Sequence, residues 1–149
     1  MVILSQKDKR WAGTFIGNTK LTVYNYGCTI TALSMLSSWY GVYRNPAWMA
    51  KNLKFTETGL LYWSSIGQSE LNMNFVYRYY TRDDKKIQSI IASRDNACLL
   101  QVNNKKHWVL AMSYSRLKGY TIADPIDGKI KLLKDAYPNI TGFAEITRK

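Results

Sequence analysis

Between Leu21 and Tyr43 the chain carries no charged side chain, although its formal net charge is +11. A stretch this long and this neutral belongs either in a membrane or in a core. Thr22, Asn25, Gly27, Thr29, Thr31, Ser34, Ser37 and Ser38 make it too polar to span lipid. It reads instead as a helix enclosed by a soluble fold. Ala32, Met35, Leu36, Trp39 and Tyr40 recur at helical spacing. Ile30 and Leu33 add a second apolar face, which predicts burial nearly all round. Gly41 supplies the stop.

The flanking segments divide in two. Asn45-Pro46 reads as an N-cap with proline at the first helical position, opening a short helix through Trp48, Met49 and Leu53. A third helix is expected from about Gly59 to Ser69, and a strand from Asn74 to Tyr80. Asp83 or Asp84 should open a helix carrying Ile87, Ile90 and Ile91 that ends near Asn96. Beyond it the pattern is strand-like: residues 97–102, 107–114, 119–124, 129–133 and 143–147, separated by turn residues. Their regular spacing predicts an antiparallel meander. Helices followed by strands predict an α+β fold, with N-terminal helices packed on one side of a C-terminal antiparallel sheet. At 149 residues, with no linker or repeat, one domain over residues 1–149 is expected.

Composition excludes several classes. Two cysteines are too few for a disulfide scaffold, and one histidine without any CxxC makes no zinc site. No metal or organic cofactor is expected. Charges at Lys7, Asp8, Lys9 and Arg10 interrupt the N-terminus before a signal-peptide core could form. The chain is therefore expected to be cytoplasmic as synthesised, with no membrane span. The 21 basic residues against 10 acidic ones attract anions: nucleic acid, an anionic cell wall, or acidic substrates. The basic residues are scattered rather than clustered, so a dedicated nucleic-acid surface is the lesser expectation.

Cys28 opens the uncharged helix, where unpaired backbone N–H groups and the helix dipole favour a thiolate. Cysteine is also a common core residue, so position alone does not settle its role. A thiolate nucleophile needs a base, and His107 is the only histidine available. Asp124 ends the following strand. With a hairpin centred near Ser115 and Arg116, His107 and Asp124 each lie eight to nine residues from its centre. The two should meet across adjacent strands, within about two residues of register. An aspartate there would fix the histidine tautomer and stabilise the imidazolium, although Asp124-Pro125 is also an ordinary turn starter. Cys98 lies inside a strand and is expected in the core. A bridge to Cys28 would disable the thiol.

Thiol on a helix end and His–Asp pair on strands is the division of labour of papain-like cysteine peptidases. The segments SQKDKRW (5–11), YGCTITALSMLSSWYG (26–41), HWVLAMSY (107–114) and ADPIDG (123–128) resemble the papain-like peptidase domains related to bacteriocin-leader-processing peptidases. The resemblance spans nearly the whole chain. It implies a papain-like fold, with Cys28 as nucleophile, His107 as general base and acid, and Asp124 as the orienting residue. It further implies Gln6 as an oxyanion donor beside the Cys28 N–H. Gln6 stands 22 residues before the cysteine, whereas transporter-associated members keep that glutamine a few residues away. Tyr24, Asn25 and Tyr26 are the alternative neighbours of the thiol. Thr29 replaces a glycine found after the cysteine in many members, which a helix's first turn should tolerate.

Lys105 and Lys106 precede His107, so the cleft rim is expected to be positive. These two lysines and Trp108 are the expected substrate contacts. The substrate class is a peptide or protein, with the peptide of peptidoglycan or an acidic segment as candidates. Small size and basic charge suit a phage-type lysin or maturation peptidase, released or virion-associated. Transfer or deamidation through the same three residues stays open. So does an inert papain-like module that binds nucleic acid or another polyanion.

Overall fold

The computed structural model describes residues 1–149. The uncharged stretch forms two helices in series. α1 (Val23–Tyr26) is a single turn, capped by the Thr22 hydroxyl, which accepts from the Asn25 N–H at 3.3 Å. α2 (Cys28–Trp39) begins immediately after Gly27. Its residues Ile30 to Ser37 are all buried, so burial nearly all round is what the structure shows. Each fully enclosed Leu or Met there contributes about 1.5–3 kcal/mol. The helix ends at Trp39, and Gly41 just beyond it takes a φ of +86°, which favours glycine.

α3 (Pro46–Asn52) has the expected cap, with the Asn45 side chain accepting from Trp48 N–H at 2.8 Å. The helix expected over 59–69 does not form. Phe55 and Leu61 make an isolated bridge, and only Trp63–Ser65 winds into a single 3₁₀ turn. Serine hydroxyls compete with the backbone here: Ser65 donates to the Tyr62 carbonyl at 2.7 Å, and Ser69 to the Ile66 carbonyl at 2.5 Å. Gly59, at φ +87°, starts the segment in a turn. Strand β1 (Met73–Tyr79) follows, then α4 (Asp84–Ala92), capped by Asp83 accepting from Lys86 N–H at 3.1 Å. α4 stops at Ala92, short of Asn96, where the next strand begins.

The remaining strands are β2 (Asn96–Val102), β3 (His107–Ser115), β4 (Gly119–Asp124), β5 (Lys129–Leu132) and β6 (Gly142–Arg148). A helical turn, α5 (Leu133–Ala136), replaces the end of the expected 129–133 strand. The sheet is antiparallel, in the order β1-β6-β2-β3-β4-β5. Only β2 to β5 form a meander. β6 returns to lie between β1 and β2, because Phe143, Ala144 and Ile146 are fully buried and could not stand at an edge. β5 carries Lys129 and Lys131 and does stand at an edge, where charge blocks further pairing.

Period-two alternation gives the sheet two apolar faces. Leu99, Leu110, Ala123 and Ile146 pack with α1, α2 and α3. Leu100, Val109, Ile122 and Phe143 pack with Ile87 and Ile90 of α4. The N-terminal helices therefore share one face, as expected. α4 covers the other, which the single-sided expectation did not include.

Candidate active site

The thiol is placed by a glycine. A Cβ on Gly27 would lie 2.5 Å from the Val23 carbonyl oxygen and 2.6 Å from its side chain. Only glycine allows α1 to turn this tightly into α2, and the turn leaves Cys28 half-exposed at the first position of the helix. The N–H groups of that first turn have no partner within the helix. Thr29 lies alongside, its hydroxyl 4.0 Å from the Cys28 sulfur. Cys98 is fully buried on the α4 face, while α2 packs on the opposite face. The sheet thus separates the two cysteines, and a bridge between them would need backbone movement.

His107 begins β3, and Leu110 faces Ala123 in the ladder. Continuing that register puts Val109 opposite Asp124, with His107 two residues further on the same face. The offset is that of the expected register error. The hairpin turns around Leu117, with Ser115 paired to Gly119, rather than around Ser115 and Arg116. His107 Nε2 and Asp124 Oδ1 are 2.7 Å apart, and both residues are buried. Nδ1 is the ring nitrogen that Asp124 leaves free, and Cys28 is near enough to raise the histidine. Asp124 also starts the turn, since its Oδ1 accepts from the Ile126 N–H at 3.0 Å. Turn starter and histidine partner are one residue.

Two contacts on Asp124 were not expected. Tyr137 Oη donates to Oδ2 at 2.5 Å, and Lys131 Nζ lies 3.1 Å from the same oxygen. The rings of Tyr137 and His107 lie 5.5 Å apart. Tyr137 follows α5, a turn that no sequence pattern announced, and it precedes Pro138 in what reads only as a loop. Lys131 was legible only as one of many basic residues.

Burial alone would push the His107 pKa down. The Asp124 hydrogen bond and then the Cys28 side chain outweigh it, raising His107 to about 9. Burial would likewise push the Asp124 carboxyl up. Hydrogen bonds from His107, Tyr137 and the Ile126 N–H win, and hold it below the ordinary carboxylate range. The pair is therefore imidazolium and carboxylate at neutral pH.

Gln6 is buried beside this pair. Its N–H donates to the Pro125 carbonyl at 2.7 Å, and its Nε2 donates to the Tyr24 carbonyl of α1 at 2.9 Å. The N-terminal segment thus bridges the end of β4 and α1, where Gln6 meets Tyr24. Gly128, at φ +68°, makes room: a Cβ there would lie 3.1 Å from Ser5 N. One Nε2 hydrogen remains free, and Oε1 is buried without a partner.

Lys105 and Lys106 are exposed on the β2–β3 turn, where neither pairs with a carboxylate. Trp108 is half-buried, with its ring centroid 5.3 Å from that of Trp63 and the Arg78 guanidinium 4.7 Å from its ring. No three His, Cys, Asp or Glu side chains gather where they could hold a metal ion. No helix is long and apolar enough to cross a membrane.

Residues 18–139 match the family model described as the Peptidase C39 family. Among solved structures, the chain is similar to the N-terminal peptidase C39-like domain of the toxin secretion ATP-binding protein from Vibrio parahaemolyticus. The TM-score is 0.60 at 14% identity, over 82% of this chain and 97% of that one. It is also similar to a double glycine motif protease from an AMS/PCAT transporter, solved in complex with the leader peptide. There the TM-score is 0.60 at 14% identity, over 95% of this chain and 96% of that one. A comparison with curated proteins finds no match. The structural likeness speaks for the fold and the family match for the chemistry. The chain belongs to the Peptidase C39 family and is a cysteine peptidase, a hydrolase with a papain-like fold.

Proposed function

We propose that Cys28, His107 and Asp124 act as the catalytic triad, on a peptide substrate. The observation that carries this is the buried 2.7 Å pair of His107 and Asp124, with the raised histidine coupled to the Cys28 thiol. The Cys28 thiolate attacks the scissile carbonyl carbon. The developing oxyanion takes hydrogen bonds from the Cys28 N–H and the free Gln6 Nε2 hydrogen. As the C–N bond breaks, the His107 imidazolium gives its proton to the leaving amine. Water then attacks the thioester, His107 accepts a proton from it, and the acid and the thiolate are released.

The substrate reading extends from charge. The excess of basic residues and the unpaired Lys105 and Lys106 favour a peptide in an acidic setting, such as the cross-links of an anionic cell wall or an acidic protein segment. Trp108 would supply an apolar contact beside them. A phage-type lysin or maturation peptidase is the setting this suggests. The same charge carries a second reading, an inert module on nucleic acid, which predicts steep salt dependence of binding and an unreactive Cys28.

Iodoacetamide alkylation of Cys28 tests the triad without a known substrate, in a Cys98→Ser background. Fast alkylation at pH 7 that His107→Ala slows by about 10-fold or more supports the thiolate–imidazolium pair. Alkylation that ignores His107 overturns it. On a peptide panel, Cys28→Ser should lower kcat by about 10³-fold or more. A preference for acidic flanks that vanishes in high salt supports the polyanion reading, and its absence overturns that part alone.

A further inference from the structure

The Asp124 carboxylate has more partners than a histidine-orienting residue needs. Oδ1 serves His107 and the Ile126 N–H, while Oδ2 takes the Tyr137 hydroxyl and the Lys131 ammonium. The residue is fully buried, so these contacts fix which oxygen faces which partner. We infer that the two Oδ2 contacts divide the work: Tyr137 is a positioning residue that keeps Oδ1 turned to His107, and Lys131 shares the negative charge of Asp124 with the imidazolium. This inference rests on the triad reading.

Tyr137 is suited to positioning. Its hydroxyl is neutral and its ring lies against the His107 ring, so it fixes both partners of the pair at once. Lys131 is suited to charge sharing. It comes from the edge strand β5, its side chain is 24% exposed, and its ammonium also reaches Asp127 at 2.8 Å. The groups that face His107 directly are Cys28 from α2, Asp124 from β4 and Tyr137 after α5. Lys131 and Asp127 act on it through Asp124. Lys105 and Lys106 adjoin it on the exposed turn.

The two roles predict opposite signs. Without the Tyr137 hydroxyl, Oδ2 is held only by the long Lys131 side chain, which Asp127 shares, so the carboxylate turns more easily and His107 loses its proton more readily. Without the Lys131 cation, His107 is the one cation left on Asp124 and holds its proton longer. General loosening of the site would move both variants downward together.

The chain has one histidine, so a pH titration followed by NMR of the imidazole ring reads His107 without assignment. In Tyr137→Phe the midpoint should fall by about one pH unit. The Nε2–H signal should broaden as its proton exchanges with water, and kcat on a cleaved peptide should fall about 10-fold with KM unchanged. In Lys131→Met the midpoint should rise by about half a unit, and Lys131→Arg should restore it. Lys131 still satisfies Oδ2 in Tyr137→Phe, and Tyr137 does so in Lys131→Met, so each variant keeps a partner on the buried oxygen. Unchanged midpoint and kcat in Tyr137→Phe overturn the positioning role. A fall in Lys131→Met overturns the charge-sharing role. Cys28→Ser separates the two levels: it should itself lower the midpoint by removing the thiolate. A Cys28→Ser protein with an unmoved His107 overturns the triad reading on which the inference stands.

Discussion

A methyl group added at Gly27 would meet the Val23 carbonyl oxygen at 2.5 Å, so Gly27→Ala has to push α1 away from α2. We expect a loss of about 1–3 kcal/mol, read from the urea midpoint, together with slower Cys28 alkylation. Gln6 permits a cleaner separation. Its side chain donates to the Tyr24 carbonyl, and its backbone holds the Pro125 turn. Gln6→Ala keeps the backbone bond and removes only the amide. It should lower kcat by about 10²–10³-fold while leaving Cys28 alkylation close to wild type, since alkylation forms no oxyanion. Cys28, His107 and Asp124 could be picked out in the sequence because each stands at an element boundary with a signal of its own: Gly-Cys opening a helix, the only histidine after a turn, and Asp-Pro closing a strand. Tyr137 and Lys131 carry no such signal. They meet at a shared carboxylate oxygen, which spacing along the chain does not encode.

At the scale of elements, period was the reliable guide. α2 and the strands from β2 to β5 were legible because a continuous apolar face or clean alternation left little choice. The segment over 59–69 was not, because its serines satisfy the backbone locally and offer turns at a cost no pattern reveals. The place of β6 was also hidden. A strand's burial says that it lies inside a sheet, not beside which strand. The β3–β4 hairpin couples stability to pH on both the acid and the alkaline side. His107, raised to about 9 from its ordinary 6.5, contributes stability fully present below pH 6.5 and lost as pH climbs through about 9. Asp124, held below its ordinary 3.8, contributes stability present above that value and lost as pH falls beneath it. Thermal midpoints should therefore form a plateau between about pH 4 and 6.5. The alkaline decline amounts to about 3 kcal/mol at most. His107→Gln should flatten that decline and shrink the acid one without abolishing it, since Tyr137 and the Ile126 N–H still hold Asp124 down.

Across the whole molecule, a net charge of +11 on 149 residues repels itself, and added salt screens that repulsion. The melting temperature at pH 7 should therefore rise between low salt and about 0.3 M sodium chloride. A flat or falling response would mean that ion pairs such as Arg44–Glu70 and Arg82–Asp84 outweigh the net repulsion. Composition made the sign of this field legible, but not its geometry, because scattered lysines form a surface only after folding. The sheet order sets a timetable as well. During synthesis the thiol leaves the ribosome early, its histidine and aspartate follow some eighty to a hundred residues later, and β6 comes after them all. β2, which pairs with β3, and β1 remain apart until β6 arrives between them. If the proposed triad holds, a nascent chain therefore exposes a cysteine without its histidine, and Cys28 reactivity should appear only once the sheet has closed.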